Sequence, residues 1–262
     1  MKNQMKIAIL VGAASLATAV LPAGANPAKK KTTIVLVHGA FAGSSSWNPV
    51  IAELANSGYP VIAVANPLRG LKTDADYVAR VVRSVPGPVV LVGHSYGGSV
   101  ISVAADGAAN VKGLVFVAGF APEPGESAAS LGERFPTGTL GKTLDPPVAQ
   151  ADGSQDLYIR QDKYRDQFAP DVPRAAAVEM AATQRPIIQG ALTEPAGQAA
   201  WKTVPSWFIY GSADKNIPKS LHAFMADRAR AKEKIEVKGA SHVVMISHPN
   251  KVAELIERAA AQ

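Results

Sequence analysis

Residues 89–105 read VVLVGHSYGGSVISVAA. Four apolar residues, Val89 to Val92, run up to Gly93, and beyond it the apolar positions resume with a different period. A short β-branched run bounded by glycine predicts a buried strand, and the pattern after Ser95 predicts a helix. At the joint stands G-x-S-x-G, as Gly93, His94, Ser95, Tyr96 and Gly97. The chain must reverse there within a few residues, which forces Ser95 into a strained backbone conformation and projects its hydroxyl beyond the edge of a sheet. Gly93 and Gly97 flank the serine because a Cβ would collide where strand and helix approach, and Gly98 serves the same packing. The glycine spacing does not suit a dinucleotide fingerprint, and no lysine follows for a phosphate loop.

Outward from this joint, strand-like and helix-like segments alternate. TTIVLVHG, PVIAVANP and VKGLVFVAGF read as strands, as do PSWFIYGSAD and KIEVKGASH near the end. WNPVIAELANSG, DADYVARVVRSV, SLHAFMADRARA and HPNKVAELIERAA have helical spacing. The expectation is an α/β fold, a mostly parallel sheet with helices on both faces. The alternation stops between about Pro122 and Ala200, a proline-rich stretch with amphipathic pieces such as DKYRDQF. A structureless loop of that length is foreign to a compact domain, so the stretch is read as a helical cap folded over one end of the sheet. The boundaries are then residues 26–121 and 201–262 for the two parts of the core and 122–200 for the cap.

Residues 1–25 have a basic start (Lys2, Lys6), an apolar run from Ile7 to about Leu21, and Ala23-Gly24-Ala25. That layout predicts a secretory signal peptide cleaved before Asn26, and hence an exported protein, periplasmic or secreted. A membrane anchor or buried first helix is the competing reading, but the run is short for a span and is broken by Pro22 and Gly24. No later segment has an apolar run long enough to span a bilayer. The formal charge of +6 falls to +4 without Lys2 and Lys6, and no basic stripe interleaved with aromatics follows, which argues against nucleic acid as a partner. With no cysteine in the chain, disulfides, a thiol nucleophile and thiolate metal sites are excluded.

A serine hydroxyl needs a base to take its proton and a group to orient that base. Five histidines are present. His38 ends a strand and is read as shaping the following loop. His94 adjoins the serine but is expected to face away, His222 is read as a surface or packing residue within a helix, and His248 as structural at a helix start. His242 follows the last strand on a loop, where it could reach Ser95, and the chain order Ser, Asp, His then selects Asp214 as the acid. A turn or helix-cap aspartate would look the same at Asp214, and Glu123 or Glu126 after the fourth strand are reserve acids. The backbone N–H of Tyr96 is one expected oxyanion donor, and the second should come from HGAFAG, with Ala40 first choice and Phe41 second. Phe41, Trp47, Phe120 and Trp201 are candidates for the substrate pocket, although core packing suits each of them as well.

With VLVHGAF, GHSYGG, GSADKNIP and GASHVVMISHP in order, the chain from about residue 31 onward resembles the α/β-hydrolase superfamily. It is most similar to the compact group of plant methylesterases, hydroxynitrile lyases and bacterial carboxylesterases. The resemblance implies the α/β-hydrolase fold, Ser95 as nucleophile, His242 as base, Asp214 as acid, and Ala40 with Tyr96 as the oxyanion hole. It implies no cofactor and no metal, and a small-molecule carboxylic ester as substrate. Hydroxynitrile lyases of this group carry a threonine after the first strand's histidine and a lysine after the catalytic histidine; here Gly39 and Val243 occupy those places. Hydrolysis through an acyl-enzyme is therefore the expected activity. Lyase-like or cofactor-free peroxidase chemistry on the same triad is one alternative, and a slow-turnover ligand-binding protein is another.

Overall fold

The computed structural model describes residues 31–262, so the expected signal peptide lies outside the described residues. The chain begins with β1 (Thr33–Val37), α1 (Asn48–Asn56), β2 (Val61–Val64), α2 (Leu71–Ser84), β3 (Val89–His94), α3 (Tyr96–Ala104) and β4 (Val111–Val117). Residues 122–200 contain α4 (Ala128–Arg134), β5 (Val148–Ala149), β6 (Gln155–Leu157), α5 (Gln161–Phe168), α6 (Arg174–Thr183), β7 (Ile187–Ile188) and α7 (Gln189–Thr193). The chain ends with β8 (Ser206–Gly211), α8 (Lys219–Arg228), β9 (Glu233–Val237), α9 (Val244–Ser247) and α10 (Pro249–Ala260).

The main sheet has the order β2-β1-β3-β4-β8-β9, and every neighbouring pair is parallel. Its interior strand β3 is buried at all six positions, which fits the apolar run from Val89 to Val92, whereas the edge strand β9 alternates between half-buried and exposed up to the buried Val237. Helices α1 and α10 pack together on one face and α2 with α3 on the other. In α10 the buried residues Val252, Ala253, Leu255, Ile256 and Ala259 form the stripe that joins it to the sheet. From β1 the chain runs outward to β2 and then returns to β3 on the other side of β1. That reversal opens a crevice at the carboxyl ends of the strands, where open α/β sheets bind ligands.

Between residues 122 and 200 the sequence predicts helices, and α4 to α7 form there. The structure adds a small antiparallel sheet, β5-β6-β7, with strands of two or three residues. Strands that short show no alternation, so periodicity could not reveal them. This segment is tied to the main sheet at its edge. Arg69 pairs with the buried Asp156, and Glu194 accepts the N–H groups of Leu71 and Lys72 at 2.6 and 3.2 Å, where an anion suits the first turn of α2.

Strand β3 and helix α3 approach main chain to main chain. A Cβ built on Gly93 would lie 2.5 Å from the carbonyl oxygen of Gly97. Gly93→Ala is expected to cost about 1–3 kcal/mol of stability by forcing the backbone apart. A thermal melt unchanged from wild type would show that the joint is looser than this geometry implies.

Candidate active site

Ser95 stands between β3 and α3 with φ 53° and ψ −123°, a conformation costly for a residue with a side chain. Its main chain is held on both sides: the N–H donates to the Val117 carbonyl, and its carbonyl accepts from Gly98 and Phe120 N–H at 2.9 and 3.0 Å. The loop after β1 lies directly against it. A Cβ on Gly39 would sit 2.7 Å from both the Ser95 Cβ and the His94 carbonyl oxygen, so only glycine lets this loop approach. The following residue, Ala40, has no acceptor for its N–H among the described residues, and Tyr96, as the first residue of α3, has no intrahelical one. Two main-chain donors are thereby left free where Ala40, Ser95 and Tyr96 line one cavity.

Asp214 and His242, the acid and base expected from the sequence, come from the strands beyond β4 in the same sheet. Asp214 occupies the turn after β8, and His242 the loop between β9 and α9. His242 Nδ1 lies 2.7 Å from Asp214 Oδ2, with both side chains buried. A carboxylate can only accept, so Nδ1 carries the proton and Nε2 offers a lone pair. Asp214 Oδ1 accepts the N–H groups of Asn216 and Ile217 at 2.8 and 3.0 Å. Burial opposes ionisation of this carboxyl, but the neighbouring His242 and the hydrogen bonds from His222 and His242 outweigh it and hold the group well below the usual carboxylate range. Ser95 and His242 face the same cavity without a hydrogen bond between them, a contact that commonly tightens only when substrate is bound.

The cavity holds about 180 Å³, and its walls include Phe41, Phe120, Leu140, Phe168, Leu192 and Ile217. Of the four pocket candidates, Phe41 and Phe120 line it. Trp47 and Trp201 do not: Trp47 is buried edge-on to His94, and Trp201 donates its indole N–H to the Pro122 carbonyl beneath Arg228. The Phe41 amide is no oxyanion donor, because it already donates to the Arg185 carbonyl at 2.9 Å. The Phe41 carbonyl in turn accepts from the Tyr164 hydroxyl at 2.7 Å, so residues of the 122–200 segment clamp the loop that presents Ala40. The reserve acids lie elsewhere: Glu126 is held by Arg134 and Arg228, and Glu123 pairs with Lys202.

Two histidines differ from their sequence reading. His94 does not turn away. Its ring centroid is 4.8 Å from that of His242, and its Nε2 donates to the His242 carbonyl at 3.1 Å. Burial pushes its pKa well down, so it packs as a neutral ring. His222 is buried as expected of a packing residue, but its Nε2 is 3.1 Å from Asp214 Oδ2. Phe168, on α5, covers the His242 ring at a centroid distance of 5.0 Å. Sequence reasoning missed it, although Tyr164 and Phe168 stand four apart in DKYRDQF as one apolar face of a short helix.

A profile of the alpha/beta hydrolase family matches residues 34–255. The chain belongs to that family. Among its relatives, an alpha-hydroxynitrile lyase of Arabidopsis thaliana is 26% identical over 86% of this chain and 95% of the relative. Polyneuridine aldehyde esterase of Rauvolfia serpentina is 24% identical over 87% of this chain and 96% of the relative. A crystal structure of polyneuridine aldehyde esterase superposes with a TM-score of 0.76 at 20% identity, covering 87% of this chain and 99% of that one. A pyrethroid hydrolase from Sphingobium faniae JZ-2 superposes with a TM-score of 0.71 at 21% identity, covering 88% and 98%. In this family member the strands, the serine turn and the following loops converge as described above.

The loop after β1 is fixed from below by His38. Its Nε2 accepts the Asn66 N–H at 3.1 Å, its Nδ1 donates to the Gly39 carbonyl, and its own carbonyl accepts from Asn66 Nδ2. Burial lowers its pKa from 6.5 to about 4. Because the folded pKa lies below the unfolded one, the unfolded chain binds more protons in that interval. The contribution of His38 is therefore complete above pH 6.5 and lost as pH falls through 4, about 3 kcal/mol in all. Melting temperature should fall between those limits, and His38→Gln, lacking the titrating ring, should lose less stability over the same interval. Identical slopes for the two proteins would contradict this assignment.

Proposed function

We propose that this alpha/beta hydrolase cleaves carboxylic esters through an acyl-enzyme, with Ser95 as nucleophile, His242 as base and Asp214 as acid. The observation that carries the reading is the buried Asp214–His242 hydrogen bond, which leaves His242 Nε2 as a proton acceptor on the cavity into which the strained Ser95 projects. Ser95 Oγ attacks the acyl carbon while its proton passes to Nε2, and the Ala40 and Tyr96 N–H groups receive the oxyanion. Each such donor is typically worth about 3 kcal/mol of barrier. His242 then protonates the departing alcohol, and a water deprotonated by the same nitrogen releases the acid. The walls favour neutral, apolar acyl and alcohol groups of modest size, since no lysine, arginine or carboxylate lines the cavity among the described residues.

Carbon–carbon cleavage, suggested by the lyase relative, fits less well. A departing cyanide needs a cation, and the position after His242 holds Val243, fully buried. The clash at Gly39 likewise leaves no room for a larger residue without a backbone shift. Hydrolysis of short p-nitrophenyl esters is the direct test. Wild type should turn them over, and Ser95→Ala should lower kcat/KM by about 10⁴-fold or more with an unchanged melting temperature. Full activity in the alanine variant would refute the nucleophile; tight binding of the ester without turnover in wild type would favour a binding protein.

Export belongs to the same proposal, on the strength of the basic start, apolar run and Ala-x-Ala at residues 1–25. N-terminal sequencing of protein recovered from the periplasm or medium should begin at Asn26. A chain that stays in the cytoplasm and keeps Met1 would overturn this part of the reading.

A further inference from the structure

We propose that His222 is a positioning residue for the reaction: its Nε2–H holds the Asp214 carboxylate in place and sets the pH at which His242 becomes free to act as base. This rests on the hydrolase reading above and adds to it a second imidazole that the triad itself does not require.

His222 is on α8, and its Nε2 lies 3.1 Å from Asp214 Oδ2, the same oxygen that accepts from His242 Nδ1. The Asp214 side chain is fully buried and His222 nearly so, which removes water as a substitute donor. Since the carboxylate has no proton to give, the His222 proton is on Nε2. Oδ1 is occupied by the Asn216 and Ile217 amides, so the four contacts together saturate the carboxylate and prevent its rotation. The His222 ring stacks on Tyr210 of β8, with centroids 4.8 Å apart and planes 14° from parallel. The titratable groups facing it are therefore Tyr210 from the sheet, Asp214 from the loop after β8, and His242 from the loop after β9. Burial also lowers the pKa of His222, favouring the neutral ring that donates through Nε2.

The consequence for the base follows from charge. A donor on Oδ2 draws negative charge away from the bond to His242. Without it, the carboxylate stabilises the imidazolium more strongly, and the base loses its proton only at higher pH. A histidine present only to fill space would not move that titration.

The experiment is the pH profile of kcat/KM on a short p-nitrophenyl ester for wild type, His222→Leu and His222→Gln, together with the low-field proton NMR signal of His242 Nδ1–H. In His222→Leu the ascending limb should move up by about one pH unit, kcat on the plateau should fall several-fold, and the NMR signal should shift. In His222→Gln, whose amide can donate to the same oxygen, the limb and the signal should return towards wild type. Should the leucine variant not fold, His222→Asn, too short to reach Oδ2, should show its displaced limb. An unmoved limb and signal in the apolar or short variant, whatever the change in melting temperature, would overturn the proposal. The NMR signal needs no turnover, so this outcome is distinguishable from failure of the hydrolase reading, which the Ser95→Ala comparison tests separately.

Discussion

The hydrogen bond between Asp214 and His242 is the contact on which the rest of the site depends. A carboxylate taken out of water stays ionised only where donors replace the lost hydration, and here two main-chain amides and two imidazoles do so. Once ionised and fixed, Asp214 dictates which nitrogen of His242 carries the proton and leaves the other with a free lone pair at the cavity that Ser95 also lines. Around this pair the fold supplies a dry environment. Phe168 covers the His242 ring, and His94 supports it from the side while holding its carbonyl.

The sheet makes this possible by delivering four loops to one end. Ser95 follows β3, Ala40 follows β1, Asp214 follows β8, and His242 follows β9, all at carboxyl ends of parallel strands. No one segment carries the site, so its precision depends on the close packing of main chain against main chain at Gly39 and Gly93. The segment from 122 to 200 does more than close the crevice. Through Tyr164 and Arg185 it clamps the backbone of Phe41, itself in a left-handed conformation with φ 58°, and so fixes the direction of the neighbouring Ala40 amide. The 122–200 segment and the loop after β1 are thus one mechanical unit, which couples the walls of the cavity to the main chain at Ala40.

Much of this was legible in the chain because the relevant signals are local. A strand, a serine and a helix in series have a pattern of their own, and the ten-residue neighbourhoods of Asp214 and His242 announce strand ends. What could not be read were contacts made by residues distant in sequence. His222 sits in an ordinary helical pattern, and nothing in SLHAFMADR tells that its ring meets a carboxylate eight residues earlier. His94 was expected to face away because the turn alone, without His242 across from it, gives no reason to do otherwise. Phe41 was a plausible donor until Arg185 claimed its amide, and Trp47 and Trp201 had the size for a pocket wall but pack as core. The short strands β5 to β7 escaped because pairing across a loop-rich segment leaves no periodic trace.

The central claim, that Ser95 is the nucleophile at a site with Ala40 and Tyr96 as oxyanion donors, is tested most directly by a crystal structure after reaction with a serine-directed alkyl phosphonate. The account predicts a covalent bond from Ser95 Oγ to phosphorus, with the phosphoryl oxygen accepting from both amides and His242 Nε2 within hydrogen-bonding distance of Ser95 Oγ or of the departing group's position. Phosphorus on any other residue, or a phosphoryl oxygen turned away from the two amides, would contradict it.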